Sequence, residues 1–239
     1  MWRIAAPMIL SNVSVPLLGM VDTAVMGHLE SPTYLGAVAI GGTIFTFLYI
    51  GMNFLRMGTT GIAAQRYGAE DNDGLRVALG QALIVSLAIA VVILLLQLPI
   101  GKIALALLGG DTETQSHAAT YFYIRVWSAP GTLANYVLIG WFLGLQNARV
   151  PLLIFLTINI TNILLDLLFV VGFGMKIEGV ALASVIAEYT ALCVAIGFAA
   201  RELRRHPGHW LLARLSRLSA YRAFFSVNAN LFIRTMALM

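Results

Sequence analysis

Charge is scarce in this chain, and cysteine is scarcer still. Only 11% of its 239 residues are Asp, Glu, Lys or Arg, against 59% hydrophobic, and the mean hydropathy is +0.86. That leaves too little polar surface to cover a water-soluble globule. The single cysteine, Cys193, excludes an intrachain disulfide; sitting in an apolar run, it is expected to be a small core hydrophobe. No HExxH, nucleophile elbow, P-loop or strand-flanked GxGxxG occurs, so there is no catalytic motif to support an enzyme. His206 and His209 have a metal-like spacing but lack acidic or cysteine partners in their Arg-rich surroundings, and no metal site is expected there.

What the chain does have is long apolar runs. Those at 4–27, 35–55, 77–98, 121–145, 152–173 and 180–200 each approach or exceed the roughly 20 residues needed to cross a bilayer. The expected fold is therefore an all-α integral membrane protein with six spanning helices. A seventh run, 223–239, stops short of a full span. The first run contains Pro7 and Pro16 and shows no small-residue cleavage site, so it is read as a retained helix and not a signal peptide. Turn formers and acids gather between the runs, in "GHLESPTY", "YGAEDNDG", "LGGDTETQS", "LQNARVP" and "GFGMKIEG", as loops require.

The basic residues are distributed unevenly. With the N-terminus inside, the cytoplasmic parts hold Arg3, Arg66, Arg76, Arg149, Arg201, Arg204, Arg205, Arg214, Arg217 and Arg222, and the outer loops only Lys102 and Lys176. This is the positive-inside pattern. It accounts for a sequence pI near 9.5 without nucleic acid, and it predicts a multi-pass protein of the cytoplasmic membrane with membrane lipids as its surroundings. Residues 201–222 read as a basic cytoplasmic linker, in which "HWLLARLSRLSAYRAFF" has the spacing of an amphipathic helix on the inner surface.

Three acids lie deep within the runs: Asp22, Asp166 and Glu188. A carboxylate at the bilayer centre costs about 2.5–3.5 kcal/mol on insertion scales, so each needs a partner or a water-filled cavity. Around Asp22, helical periodicity collects Ser11, Val15, Leu18, Gly19 and Met26 on one side. In the fifth run Asn159, Asn162 and Asp166 fall at i, i+3 and i+7, placing two amides and a carboxylate on one face. Glu188 shares a face with Ser184 and Ala181. Such groups suit the handling of protons or small cations, because burial penalises the charged carboxylate and amide oxygens can ligate a cation; the alternative is helix–helix hydrogen bonding. Arg125 stands one turn from Tyr121 and from Ser128, whereas Arg56 falls at the end of the second run, where snorkelling is expected. Methionines and aromatics, among them Met26, Tyr121 and Tyr136, give a weak hint of an adaptable substrate lining together with Gly19 and Arg125.

The stretches "APMILSNVSVPLLGMVDTAVMGHL", "FLRMGTTG", "WFLGLQNARVP", "NITNILLDLLFVVGFGMKIEGVALASVIAEY" and "NANLFIRT" resemble the multidrug and toxic compound extrusion family, in its DinF-like branch. The resemblance implies one six-helix lobe, residues 1–200, of a two-lobe transporter, followed by the linker and the start of helix seven. It implies export of small organic, often cationic, compounds against inward proton or sodium flow, with the proton favoured and no other cofactor. It assigns Asp22 to the first-helix coupling acid, with a protonation-driven change near Pro16, and Asn162 with Asp166 to the fifth-helix pair of the cation site. The missing C-terminal lobe is the expected partner, and without it this polypeptide is not expected to transport. The rival readings are a lipid-linked precursor flippase of the same superfamily, for which Arg125 is the only deep arginine, and an inactive fragment or structural membrane subunit.

Overall fold

The computed structural model describes residues 32–211 together with Leu215 and Tyr221. Among them there is no strand. The chain runs α1 (Pro32–Ile50), a 3-10 turn (Gly51–Asn53), α2 (Phe54–Gly68), α3 (Asn72–Leu95), α4 (Gln97–Leu108), α5 (Thr112–Arg125), a second 3-10 turn (Val126–Ser128), α6 (Ala129–Gly144), α7 (Arg149–Asp166), a π-helical turn (Leu167–Gly172) and α8 (Ile177–Arg205).

Four helical stretches are long and apolar enough to cross a membrane: Thr33–Gly68, Asn72–Leu95, Arg149–Gly172 and Ile177–Arg205. The expected span at 121–145 falls on α5–α6, which is not among those four. The α6 part, Ala129–Gly144, has as many small or polar residues as large apolar ones, and Gly131, Thr132, Asn135, Gly140 and Gly144 are all buried. A helix surrounded by other helices has less need of a lipid-compatible surface than one at the periphery. The expected first span and the seventh run lie outside the described residues, as does most of the amphipathic stretch.

Two expectations about helix ends change. The second span does not stop at Leu55: the 3-10 turn at Gly51–Asn53 tightens the helix without ending it, and helix continues to Gly68. Arg56 is therefore mid-helix and partly buried rather than terminal. Between the third run and the loop read at "LGGDTETQS" the chain forms a further helix, α4, and it then turns within that loop at Gly109 (φ +67°) and Gly110 (φ +117°), where positive φ suits glycine. The α5 N-terminus is capped by Asp111, whose carboxylate accepts from the Glu113 and Thr114 N–H groups (3.0 and 2.9 Å) and the Thr114 hydroxyl (2.6 Å). These bonds, the Thr114 hydroxyl first, hold the Asp111 carboxyl below its usual value of 3.8.

Alternating helix directions sort the charges. At one end, Arg66 pairs with Asp71 (2.9 Å), Arg76 donates to the carbonyls of Leu203 and His206, and α8 finishes with Arg201, Arg204 and Arg205. At the other, Lys176 stands over the Tyr34 ring (5.4 Å) and Tyr34 meets His117 (4.7 Å).

The core is built around α6, which packs against α2, α3, α7 and α8. Trp141 and Phe142 are fully buried there, and the Trp141 indole N–H donates to the Leu75 carbonyl (3.3 Å). A stripe of alanines at four-residue spacing, Ala183, Ala187, Ala191, Ala195 and Ala199, forms the buried side of α8. Cys193 lies off that stripe and is exposed, which corrects its reading as a core residue. Two residues from a buried position on a helix is close to the opposite face.

Candidate functional site

Two polar groups of residues meet along one face of α8. The first joins α7 to α8: Asp166 is 0% exposed, Asn162 1%, and Asn159 and Ser184 both 8%. Asn162 donates its amide N–H to the Ser184 hydroxyl (3.4 Å). The spacing of Asn159, Asn162 and Asp166 thus puts all three on the buried side of α7, and Asp166 is the last α-helical residue before the π-helical turn. Turns of this kind occur often at functional sites because they re-aim the backbone carbonyls around them.

The second group joins α8 to α6 and α1. The Asn135 amide donates both to the Glu188 carboxylate (2.9 Å) and to the Glu188 backbone carbonyl (3.0 Å). Glu188 therefore reaches a different helix from Ser184, which lies one turn away on the same face. Glu188 also interacts electrostatically with Arg125, and Tyr49 and Tyr136 both lie within its field. The Tyr49 and Ser128 hydroxyls are 3.4 Å apart, and the rings of Tyr49 and Tyr136 meet edge to face at 6.5 Å. Glu188, Arg125, Tyr49 and Tyr136 are each partly exposed, so this cluster has surface to offer a ligand, whereas Asp166 offers only its buried carboxyl.

Arg125, for which the sequence named no partner, donates to the Tyr121 hydroxyl and lies over the rings of Phe45 (5.1 Å) and Tyr121 (5.4 Å). Tyr121, expected to line a substrate pocket, is fully buried: its ring lies so close to Gly41 that a Cβ there would overlap it. It is a packing residue that holds Arg125. Tyr136 does sit at the partly exposed cluster. Asp22, Gly19 and Met26 lie outside the described residues.

Asn135 is the functional candidate that sequence reading passed over. The signal was an asparagine inside "GTLANYVLIG", since a lone amide in a spanning helix calls for a partner as an acid does. Also passed over was "GWFLG", with Gly140 and Gly144 four residues apart. A Cβ on Gly140 would overlap the Arg56 backbone carbonyl, and one on Gly144 would come within 2.6 Å of Ala63 Cβ and 2.9 Å of the Ala64 nitrogen. These glycines let α6 and α2 touch backbone to backbone. His206, read without an acidic partner, has its imidazole Nε2 3.4 Å from Glu202 Oε1, while its carbonyl accepts from Arg76 (2.8 Å) and the His209 backbone N–H donates to Asp73 (2.6 Å).

The MatE family model matches residues 7–168. Among curated proteins, the chain is 42% identical over 238 residues to the DNA damage-inducible protein F of Escherichia coli K12, covering 100% of this chain and 52% of that protein. It is 28% identical over 199 residues to the probable multidrug resistance protein NorM of Bacillus subtilis 168, covering 81% of this chain and 43% of that protein. The chain thus spans about half the length of the curated relatives it matches. Among solved structures, an outward-facing multidrug resistance MATE family transporter of the MOP superfamily superposes with a TM-score of 0.87 at 21% identity, covering 98% of this chain and 52% of that one.

Proposed function

The chain belongs to the MatE family, whose members are transporters and not enzymes, and from that premise we propose that it is the N-terminal lobe of a cation-coupled antiporter exporting small organic compounds. The observation that carries the proposal is the Asp166 carboxyl, wholly buried beside Asn159 and Asn162 at the seam between two spanning helices. Burying an ionisable group in a membrane is costly, and a site that can take up and release a proton or cation gives that cost a use. Asp166 is the proton carrier in this reading, coupled with Asp22, and the neighbouring amides can hydrogen-bond either protonation state. Sodium as cargo would use the carboxylate and amide oxygens of the same residues.

The substrate class proposed here is supported by two relatives, a probable multidrug resistance protein, NorM, and a multidrug export protein of Staphylococcus aureus 22% identical to this chain. Glu188 with Asn135, Tyr49 and Tyr136 is proposed as the face that meets a cationic substrate, since a carboxylate flanked by aromatic rings attracts organic cations. With the basic end of the bundle taken as cytoplasmic, the reading has the N-terminus inside and the protein in the cytoplasmic membrane, supported by the positive-inside pattern. Residues 1–200 form the lobe and 201–222 the linker to a second lobe, which alternating access requires.

The test is efflux of a fluorescent organic cation from cells expressing the complete reading frame that carries this chain, driven by an imposed pH gradient or an imposed sodium gradient. Asp166→Asn and Asp22→Asn are each expected to slow efflux at least about tenfold, equivalent to about 1.4 kcal/mol of lost coupling. Efflux at the unsubstituted rate in both variants overturns the coupling assignment. Residues 1–239 alone in proteoliposomes are expected to give no gradient-driven efflux.

A further inference from the structure

The basic end of the bundle carries a recess of about 500 Å³, lined among others by Arg76, Leu203, Arg204, Pro207, Gly208 and His209. We propose that this recess binds the phosphate headgroup of an anionic membrane lipid. Arg76, 9% exposed, is held in place by its Nη2, which donates to the carbonyls of Leu203 and His206. Its Nε–H is buried without an acceptor among the described residues. A guanidinium fixed on one side and left with an unmatched donor on the other is built to take an oxyanion.

The surrounding charges agree. Three acids at this end are engaged, Asp71 with Arg66 (2.9 Å), Glu202 with Arg205 (3.3 Å) and His206 (3.4 Å), and Asp73 with the His209 N–H (2.6 Å), while Glu70 is exposed in the turn beside Asp71. Arg76 and Arg204, which make no ion pair among the described residues, supply the permanent charge of the recess lining, and Asp73, whose carboxylate keeps its charge on accepting a backbone N–H, stands beside Gly208 of that lining.

What favours a lipid over a soluble phosphate is the apolar path leading from the recess. Ala200 forms part of its lining, and Ile196, one turn back along α8, is 52% exposed, so an acyl chain could follow the helix into the membrane. Trp210, 44% exposed, lies against the Arg76 guanidinium (5.9 Å), at the interfacial depth that tryptophan favours. The choice of leaflet rests on the orientation proposed above, because anionic lipids enrich the cytoplasmic face. The headgroup site itself does not depend on it.

The experiment titrates the purified full chain in neutral detergent with short-chain phosphatidylglycerol, phosphatidylcholine of the same chain length, and inorganic phosphate, reading the thermal midpoint. Phosphatidylglycerol is expected to raise the midpoint with saturation, and the other two are not. Arg204→Gln, which spares the Arg76 contacts within the fold, is expected to weaken phosphatidylglycerol about fivefold. Arg149→Gln removes an exposed charge outside the recess and is expected to weaken it less than twofold. Arg76→Gln is expected to abolish the shift, but because Arg76 also ties α3 to α8, Arg204→Gln decides. Equal shifts with phosphatidylcholine, an equal shift with inorganic phosphate alone, or equal losses in Arg204→Gln and Arg149→Gln would each overturn the proposal. Since detergent has no leaflets, failure here leaves the orientation and the transport reading to their own tests.

Discussion

The two sides of α6 solve the same problem by different means. Toward α2 the helix presents Gly140 and Gly144 and lies backbone to backbone on Arg56 and Ala63. Toward α8 it presents Asn135, whose amide grips Glu188 twice. In a membrane there is no water to drive apolar surfaces together, so association rests on close packing and on hydrogen bonds. The glycine side rests on the first, through backbone contact at Gly140 and Gly144. The asparagine side has the second, and its groups can change partners or protonation. The contrast separates a contact that holds the lobe together from one that is available for chemistry.

Substituting on the glycine side should have the largest effect. Gly140→Leu forces a side chain into the α2 backbone and is expected to cost about 3 kcal/mol or more, the upper part of the overpacking range. Folded protein recovered from a detergent extract should fall steeply, whereas Gly61→Leu, where a Cβ meets nothing within 4 Å, should be recovered normally. Equal recovery of the two would remove the distinction between the two sides of α6.

The next largest effects belong to the polar side. Asn135→Leu takes away both amide hydrogen bonds to Glu188 and leaves a largely desolvated, partly exposed acid short of them, at about 1–3 kcal/mol. Glu188→Gln can still accept from Asn135, so its cost should stay below about 1.5 kcal/mol. Its effect should appear in function instead, as efflux of a cationic dye reduced more than efflux of a neutral one. A thermal midpoint falling more in Glu188→Gln than in Asn135→Leu would make Glu188 a structural residue.

The smallest effect concerns Asp111, far from either side of α6. Its hydrogen bonds to Thr114 and Glu113 depress its carboxyl from 3.8, so the capped form is favoured above the unfolded value. That contribution is complete above about pH 4 and is lost as pH falls through the depressed native value. Asp111→Asn should therefore lower the neutral plateau of a midpoint-against-pH curve slightly and flatten its acid limb. An unchanged acid limb would assign the pH dependence to other carboxylates.

Much of this was legible in the residues. Composition and the long apolar runs predicted a helical membrane protein, and the i, i+3, i+7 spacing placed Asn159, Asn162 and Asp166 on one side of a helix, which the fold buries. The uneven arginines predicted that one end of the bundle would be basic, and Arg66, Arg76, Arg201, Arg204 and Arg205 do gather there. Less legible was anything that depended on a second helix. Asn135 gives no local sign that it faces Glu188, 53 residues away, and Arg56 looked terminal because hydropathy falls where the helix nonetheless continues.

By itself the sequence determined the fold class and the set of acids and amides held within the helices, because a bilayer tolerates only helices with satisfied backbones and penalises every acid placed within them. It also supplied the periodicity that puts Ser184 and Glu188 on one side of α8. Only the tertiary structure decided that Ser184 meets Asn162 while Glu188 meets Asn135, that Tyr121 packs against Gly41 rather than lining a pocket, and that Arg76 arches over the end of α8. Periodicity fixes the direction in which a side chain points from its own helix, but its partner depends on how closely two helices approach, and that is set by glycines and alanines distant in the chain.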